Sequence, residues 1–126
     1  MSHSQPGLSP RILLVDDEPS ILFTLTMLLE EEGYRVTKAE NGREALDRLA
    51  EETPELIVTD HMMPDLTGIE LIRTVRAQPA HEKLPILFMS AALPSDIDPR
   101  ELADAYLQKP ADLETMLRVI KELIEG

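Results

Sequence analysis

The chain has 126 residues, 43% of them hydrophobic, which is enough for one domain with a real core and too little for two. It carries 24 acidic against 12 basic residues, a formal charge of -12, and so lacks the clustered lysine and arginine that gripping nucleic-acid phosphates requires. Aromatics make up only 3% with no tryptophan, which excludes a base-stacking platform, and the absence of cysteine excludes disulfide staples and thiolate zinc sites.

Residues Met1 to Pro10 combine Ser, Pro and Gly without an apolar run, so they read as a flexible leader rather than a signal peptide or anchor. No later stretch approaches the roughly 20 apolar residues that a bilayer span needs. With no cysteine to protect, a cytoplasmic setting is the expectation. Residues 11–126 then form the domain. Ile12 to Val15 is a short apolar strand, broken by the acidic turn Asp16-Asp17-Glu18 and by Pro19 at the first position of a helix. Ile21, Leu22, Leu25, Leu28 and Leu29 fall on one face of that helix, Glu30-Glu31-Glu32 is its solvated end, and Gly33 is placed to close it. Tyr34 to Lys38 alternates as a second strand. Asn41-Gly42-Arg43-Glu44 reads as a capping box for a helix that turns Ala45, Leu46 and Leu49 inward.

After Thr53-Pro54, Leu56 to Thr59 is an apolar, β-branched run suited to a strand buried on both faces, and it ends abruptly at Asp60. Pro64 stops anything regular there. Asp65 to Arg76 follows as a helix with Leu66, Ile69, Ile72 and Val75 at helical spacing, closed by Pro79. Leu84 to Met89 is a fourth strand, Pro85 being tolerable at its beginning, and it ends at Ser90. Pro94 and Pro99 interrupt the next segment, leaving Asp98-Pro99-Arg100-Glu101 as the cap of a short helix. Ala105 to Gln108 is a brief fifth strand ending at Lys109-Pro110. A last helix from about Asp112 buries Leu113, Met116, Leu117, Ile120 and Leu123.

Strands alternating with helices predict an α/β fold, a parallel sheet covered on both faces by right-handed crossovers. The strand ends Asp16-Asp17, Asp60, Ser90 and Lys109 then gather on one edge of the sheet, the edge where open α/β sheets bind ligands. Three carboxylates so close raise one another's proton affinity unless a cation lies between them, and a hard divalent ion such as Mg²⁺ suits oxygen donors. Lys109 adds a compact charge able to pair with Asp60 or a phosphoryl oxygen. A neutralised carboxylate beside such an ion is set up to attack phosphorus, making Asp60 a candidate aspartyl-phosphate nucleophile with Ser90 as hydrogen-bond donor to the new group.

Asp16-Asp17 after the first strand, Asp60 with Met63-Pro64 and Gly68 beyond it, Ser90 before Ala91, and Lys109-Pro110 together resemble the two-component response regulator receiver domain, from about Arg11 to the end. The resemblance implies a flavodoxin-like fold of strand order 2-1-3-4-5. It implies Asp60 as acceptor of a phosphoryl group from a histidine kinase or phosphotransfer protein, and Mg²⁺ (or Mn²⁺) held by Asp17, Asp60 and the Met62 carbonyl, with Asp16 acting through water. Ser90 and Tyr106 resemble the switch hydroxyl and aromatic, and the bond before Pro110 is expected to be cis. The implied protein is a stand-alone receiver, not a turnover enzyme beyond its own phosphorylation and slow dephosphorylation. It signals to a downstream protein, with homodimerisation left open and neither nucleic acid nor membrane engaged directly. The interval from Ser90 to Lys109 is shorter than the family usually shows, and the shortfall lies in the fourth helix, part of the partner-binding face.

Plainer roles stand beside these. Asp16 and Asp17 also suit a helix cap, Ser90 a turn, and Tyr106 a half-buried strand position. His61 is expected in solvent because neighbouring strand residues point to opposite sides, His3 and His81 likewise, and Met62 and Met63 are expected to pack. A Mg²⁺-dependent phosphatase resembling the haloacid dehalogenase group would carry a second Asp where Met62 stands. A scaffold that is never phosphorylated is the third reading.

Overall fold

The computed structural model describes residues 9–126. The elements are β1 (Arg11–Val15), α1 (Pro19–Glu31), β2 (Arg35–Ala39), α2 (Gly42–Glu51), β3 (Leu56–Asp60), α3 (Gly68–Arg76), β4 (Ile86–Ser90), α4 (Pro99–Leu102), β5 (Ala105–Gln108) and α5 (Leu113–Glu125), with a 3₁₀ turn over Pro79–His81 between α3 and β4. All strand pairs are parallel, in the order β2-β1-β3-β4-β5. This is the flavodoxin-like sheet that the motif pattern implies. The leader expectation for residues 1–8, and that for His3, lie outside the described residues. Ser9 and Pro10 are fastened: their carbonyls accept from the Arg35 side chain at 2.9 Å and from its backbone N–H at 2.9 Å.

Strand alternation divides the core in two. Leu13, Val15, Ile57, Ile86 and Phe88 meet Ala45 and Leu49 of α2 and Ile69, Ile72 and Val75 of α3. Ile12, Leu14, Leu56, Val58, Leu87 and Met89 face Leu22 and Leu29 of α1 and Met116 and Ile120 of α5. β3 and β4 are buried along their whole length, and their runs are apolar up to Asp60 and Ser90 apart from Thr59, whose buried hydroxyl donates to the Asp60 carbonyl. Emptying one such position costs about 2 to 5 kcal/mol.

Several sequence expectations need correction. Helix α3 starts at Gly68 rather than Asp65, because Asp65 takes a left-handed φ of 69° and Thr67 supplies a capping box with Glu70. The box at α2 is displaced: the Asn41 side chain accepts from Glu44 N–H as expected, but the Glu44 carboxylate reaches back to Glu40 N–H instead of Asn41. Leu113, the first residue of α5, is exposed, since the inward stripe begins only at Met116. His81 is buried, its ring lying between Gln78 Oε1 at 3.0 Å and Thr53 Oγ1 at 3.5 Å in the 3₁₀ turn.

The fourth helix is a single turn, as its prolines foretell. Asp98 caps it by accepting from Arg100 N–H, and Leu93, Ile97 and Leu102 pack onto the α2/α3 side of the sheet. Its far end is held by Arg76 of α3. That guanidinium donates to the carbonyl of Leu84 at 2.6 Å and of Glu82 at 3.2 Å, and pairs with Asp104 at 2.7 Å, while Asp104 also accepts from Ile86 N–H.

Candidate functional site

The carboxyl ends of β1, β3, β4 and β5 bring the four singled-out groups together. Asp60 is 9% exposed; its Oδ1 accepts from the His61 N–H at 2.7 Å and its Oδ2 lies 3.3 Å from Lys109 Nζ. Asp16 is buried behind it, with Oδ1 accepting from Glu18 N–H at 3.0 Å and Oδ2 3.5 Å from the same ammonium. Asp16 thus shapes the turn into α1 rather than capping the helix, whose N-cap is Glu18 with no side-chain hydrogen bond. Asp17 is exposed, and one carboxylate oxygen from each of Asp16, Asp17 and Asp60 lies within 4.8 Å of the others.

One ammonium shared between two carboxylates leaves an imbalance. Burial works against the charge on Lys109, but Asp16 and Asp60 outweigh it, and the amine's pKa lies above its ordinary value. Burial pushes the Asp16 carboxyl up, the Glu18 N–H and Lys109 pull it back only in part, and Asp60 adds to the rise. An oxygen-only donor set with unneutralised charge fits a hard divalent cation such as Mg²⁺ or Mn²⁺. A cleft of about 620 Å³ opens beside the site between α1 and α5, floored by Leu14, Val58 and Met89 and bordered by Ser20, Thr24 and Lys109. Asp16 and Asp60 line it as well.

Ser90 is fully buried, and its hydroxyl is turned onto the Ala92 backbone, donating to the carbonyl at 2.6 Å and accepting from the N–H at 3.1 Å. Its carbonyl accepts from Lys109 N–H at 2.9 Å and from the half-buried Tyr106 hydroxyl at 3.2 Å. Ser90 therefore joins the ends of β4 and β5 through its main chain. The peptide bond between Lys109 and Pro110 is cis, as expected from the resemblance.

Two neighbours differ from their sequence reading. His61 is 8% exposed rather than solvated: β3 ends at Asp60, so strand alternation does not extend to it, and the start of α3 covers it. Gly68 makes that cover possible, since a Cβ there would lie 2.3 Å from the Asp60 carbonyl oxygen and 2.8 Å from His61 Cα. Met63 is buried as expected, but Met62 is 66% exposed. The missed signal was the Thr67-Gly68-Ile69-Glu70 cap, which fixes where α3 begins and hence what it shields.

No described helix is long and apolar enough to cross a membrane. The family profile described as response regulator receiver domain matches residues 12–121. The chain is 33% identical over 120 residues to the protein PilH of Pseudomonas aeruginosa, covering 92% of this chain and 98% of that one. It resembles the chemotaxis response regulator CheY4 of Vibrio cholerae with a TM-score of 0.83 at 30% identity, over 91% of this chain and 98% of that one. Against the response regulator TrrA of Thermotoga maritima, solved in complex with Mg²⁺-BeF, the TM-score is 0.81 at 34% identity, over 90% and 98% of the two chains. With the strand order, the acidic pocket and these likenesses agreeing over nearly its whole length, the chain belongs to the response regulator receiver domains of two-component signalling.

Proposed function

We propose that Asp60 accepts a phosphoryl group from the phosphohistidine of a histidine kinase or phosphotransfer protein, and that the modified domain signals by changing its contacts with a downstream protein. The observation that carries this reading is the convergence of Asp16, Asp17 and Asp60 within 4.8 Å, with Lys109 Nζ 3.3 Å from Asp60. Asp17, Asp60 and the Met62 carbonyl would hold Mg²⁺, with Asp16 bridging through water; the bound ion supplies charge neutralisation for the incoming phosphoryl oxygens. TrrA binding Mg²⁺-BeF in the same fold supports that assignment.

The chain's own residues do the rest. The His61 N–H holds one Asp60 oxygen, and Lys109 keeps its ammonium against the other, where it meets negative charge that arrives with the donor. Transfer forms the bond from the Asp60 carboxylate oxygen to phosphorus and breaks the donor's bond to it, returning the electron pair to the donor. Ser90 then turns from Ala92 to donate to the phosphoryl group, and Tyr106 follows. Met62 and Ala92 are exposed and offer no polar group to orient an attacking water, so hydrolysis is slow. The role is that of a cytoplasmic signalling protein whose charge of -12 favours partners with basic surfaces.

Intact-mass measurement with acetyl phosphate and Mg²⁺ tests this. The wild type gains one phosphoryl group, which survives for minutes or longer, and Asp60→Asn gains none. An unchanged wild-type mass refutes the assignment, and a half-life of seconds refutes the account of hydrolysis.

A further inference from the structure

Next to Asp60 lies a buried imidazole, that of His61, to which the phosphorylation chemistry gives no role beyond the backbone N–H of the same residue. His61 donates its backbone N–H to Asp60 Oδ1, its carbonyl accepts from Gly68 N–H at 2.9 Å, and its ring Nδ1 accepts from Ile69 N–H at 3.4 Å. The residue is thus tied to Asp60 on one side and to the first turn of α3 on the other. Its ring meets Phe88 edge-on, centroids 5.8 Å apart at 85°, and Phe88 meets Tyr106 at 5.8 Å and 62°. Both are favoured geometries for aromatic pairs. Phe88 is fully buried and also abuts Gly68, so the middle ring has no slack in which to absorb a displacement.

We propose that His61 is a positioning residue with two separable tasks: it fixes the Asp60 carboxylate through the α3 anchorage of its ring, and it carries movement of that loop to Tyr106 through Phe88. The proposal rests on Asp60 as phosphoacceptor. It adds a route to Tyr106 that runs through the core on the α2/α3 side, parallel to the one through Ser90. In the starting state the Ser90 hydroxyl is committed to Ala92, whereas the three rings are already in contact.

Two substitutions separate the tasks. His61→Asn keeps an acceptor near Nδ1 and removes the ring; His61→Phe keeps a ring against Phe88 and removes the acceptor. Uptake from acetyl phosphate with Mg²⁺ is followed by mass, and the Tyr106 ring resonances are followed by NMR on adding Mg²⁺ and beryllofluoride. Tyr34, the other tyrosine, is the internal control. His61→Phe takes up phosphoryl on the order of tenfold more slowly yet moves Tyr106 fully, because misplacing the nucleophile slows the chemistry. His61→Asn takes up phosphoryl faster than His61→Phe and loses about half or more of the Tyr106 shift. A full Tyr106 shift in His61→Asn, or a wild-type rate in His61→Phe, overturns the proposal.

A double-mutant cycle of His61→Asn with Tyr106→Leu in urea unfolding needs no phosphoryl group. Residues linked through Phe88 give unfolding constants that depart from the product of the single effects by a factor of about three or more, and independence overturns the link. Failure of the wild type to be phosphorylated would strike the role of Asp60, while the cycle still decides the connection between His61 and Tyr106.

Discussion

The segments that leave the sheet beside Asp60 and beside Ser90 are built in opposite ways. After Asp60 the chain is tied down at both ends of the loop: His61 to Asp60 and α3, Gly68 N–H to the His61 carbonyl, Thr67 and Glu70 to each other's backbone. After Ser90 it makes one tight turn onto Ala92 and then runs, mostly exposed and touching the core only through Leu93 and Ile97, to a single helical turn, with side-chain clamping resumed where Arg76 grips Asp104. The first arrangement keeps Asp60 in register with Lys109. The second leaves a surface held by few contacts, whose shape changes at little energetic cost.

Five measurements sharpen or break that contrast, by urea or thermal unfolding. Phe88→Ala removes the ring on which the corner after Asp60 rests and costs about 3 to 5 kcal/mol. Arg76→Ala frees the Leu84 and Glu82 carbonyls and Asp104, at about 2 kcal/mol, detaching the far end of the loose segment. Thr67→Ala loses the cap of α3 for about 1 kcal/mol. Asp98→Ala, the equivalent cap in the loose segment, costs about 0.5 kcal/mol or less, since a single exposed turn contributes little. A cost for Asp98→Ala equal to or above that of Thr67→Ala would abolish the distinction.

The fifth effect is the smallest and of opposite sign. The folded-state pKa of Asp16 lies above its unfolded value, chiefly through burial, so the group favours folding only below the ordinary carboxylate range, and that contribution is lost as pH rises through its folded pKa. Asp16→Asn therefore raises the melting temperature of the metal-free protein at pH 7, and the gain disappears near pH 3. A lower melting temperature at pH 7 would mean that the Lys109 pairing outweighs burial.

The sequence was informative where one residue's chemistry is delivered by one strand. Apolar runs cut off at Asp60 and Ser90, an acidic pair after Val15, and Lys109 before a proline needed only the parallel topology to place them on one edge. It was misleading where burial depends on what packs across. Strand alternation extended one residue past the end of β3 places His61 in water, and only the close approach of α3 over Gly68 reverses that. His81 was hidden by a 3₁₀ turn that Pro79 alone does not announce, and exposed Leu113 fits the helical stripe of α5 but precedes the turn that touches the sheet. The Arg76 clamp joins positions far apart in sequence, and nothing local marks either partner.

The space over Gly68 also sets what this position will tolerate when the chain diversifies. Since the conflict there is with main-chain atoms and a rigid ring rather than with a pliable side chain, no rotamer choice relieves it. A saturation library screened for folded protein should return glycine alone at residue 68, while exposed Met62, six places earlier in the same loop, accepts a broad range of side chains.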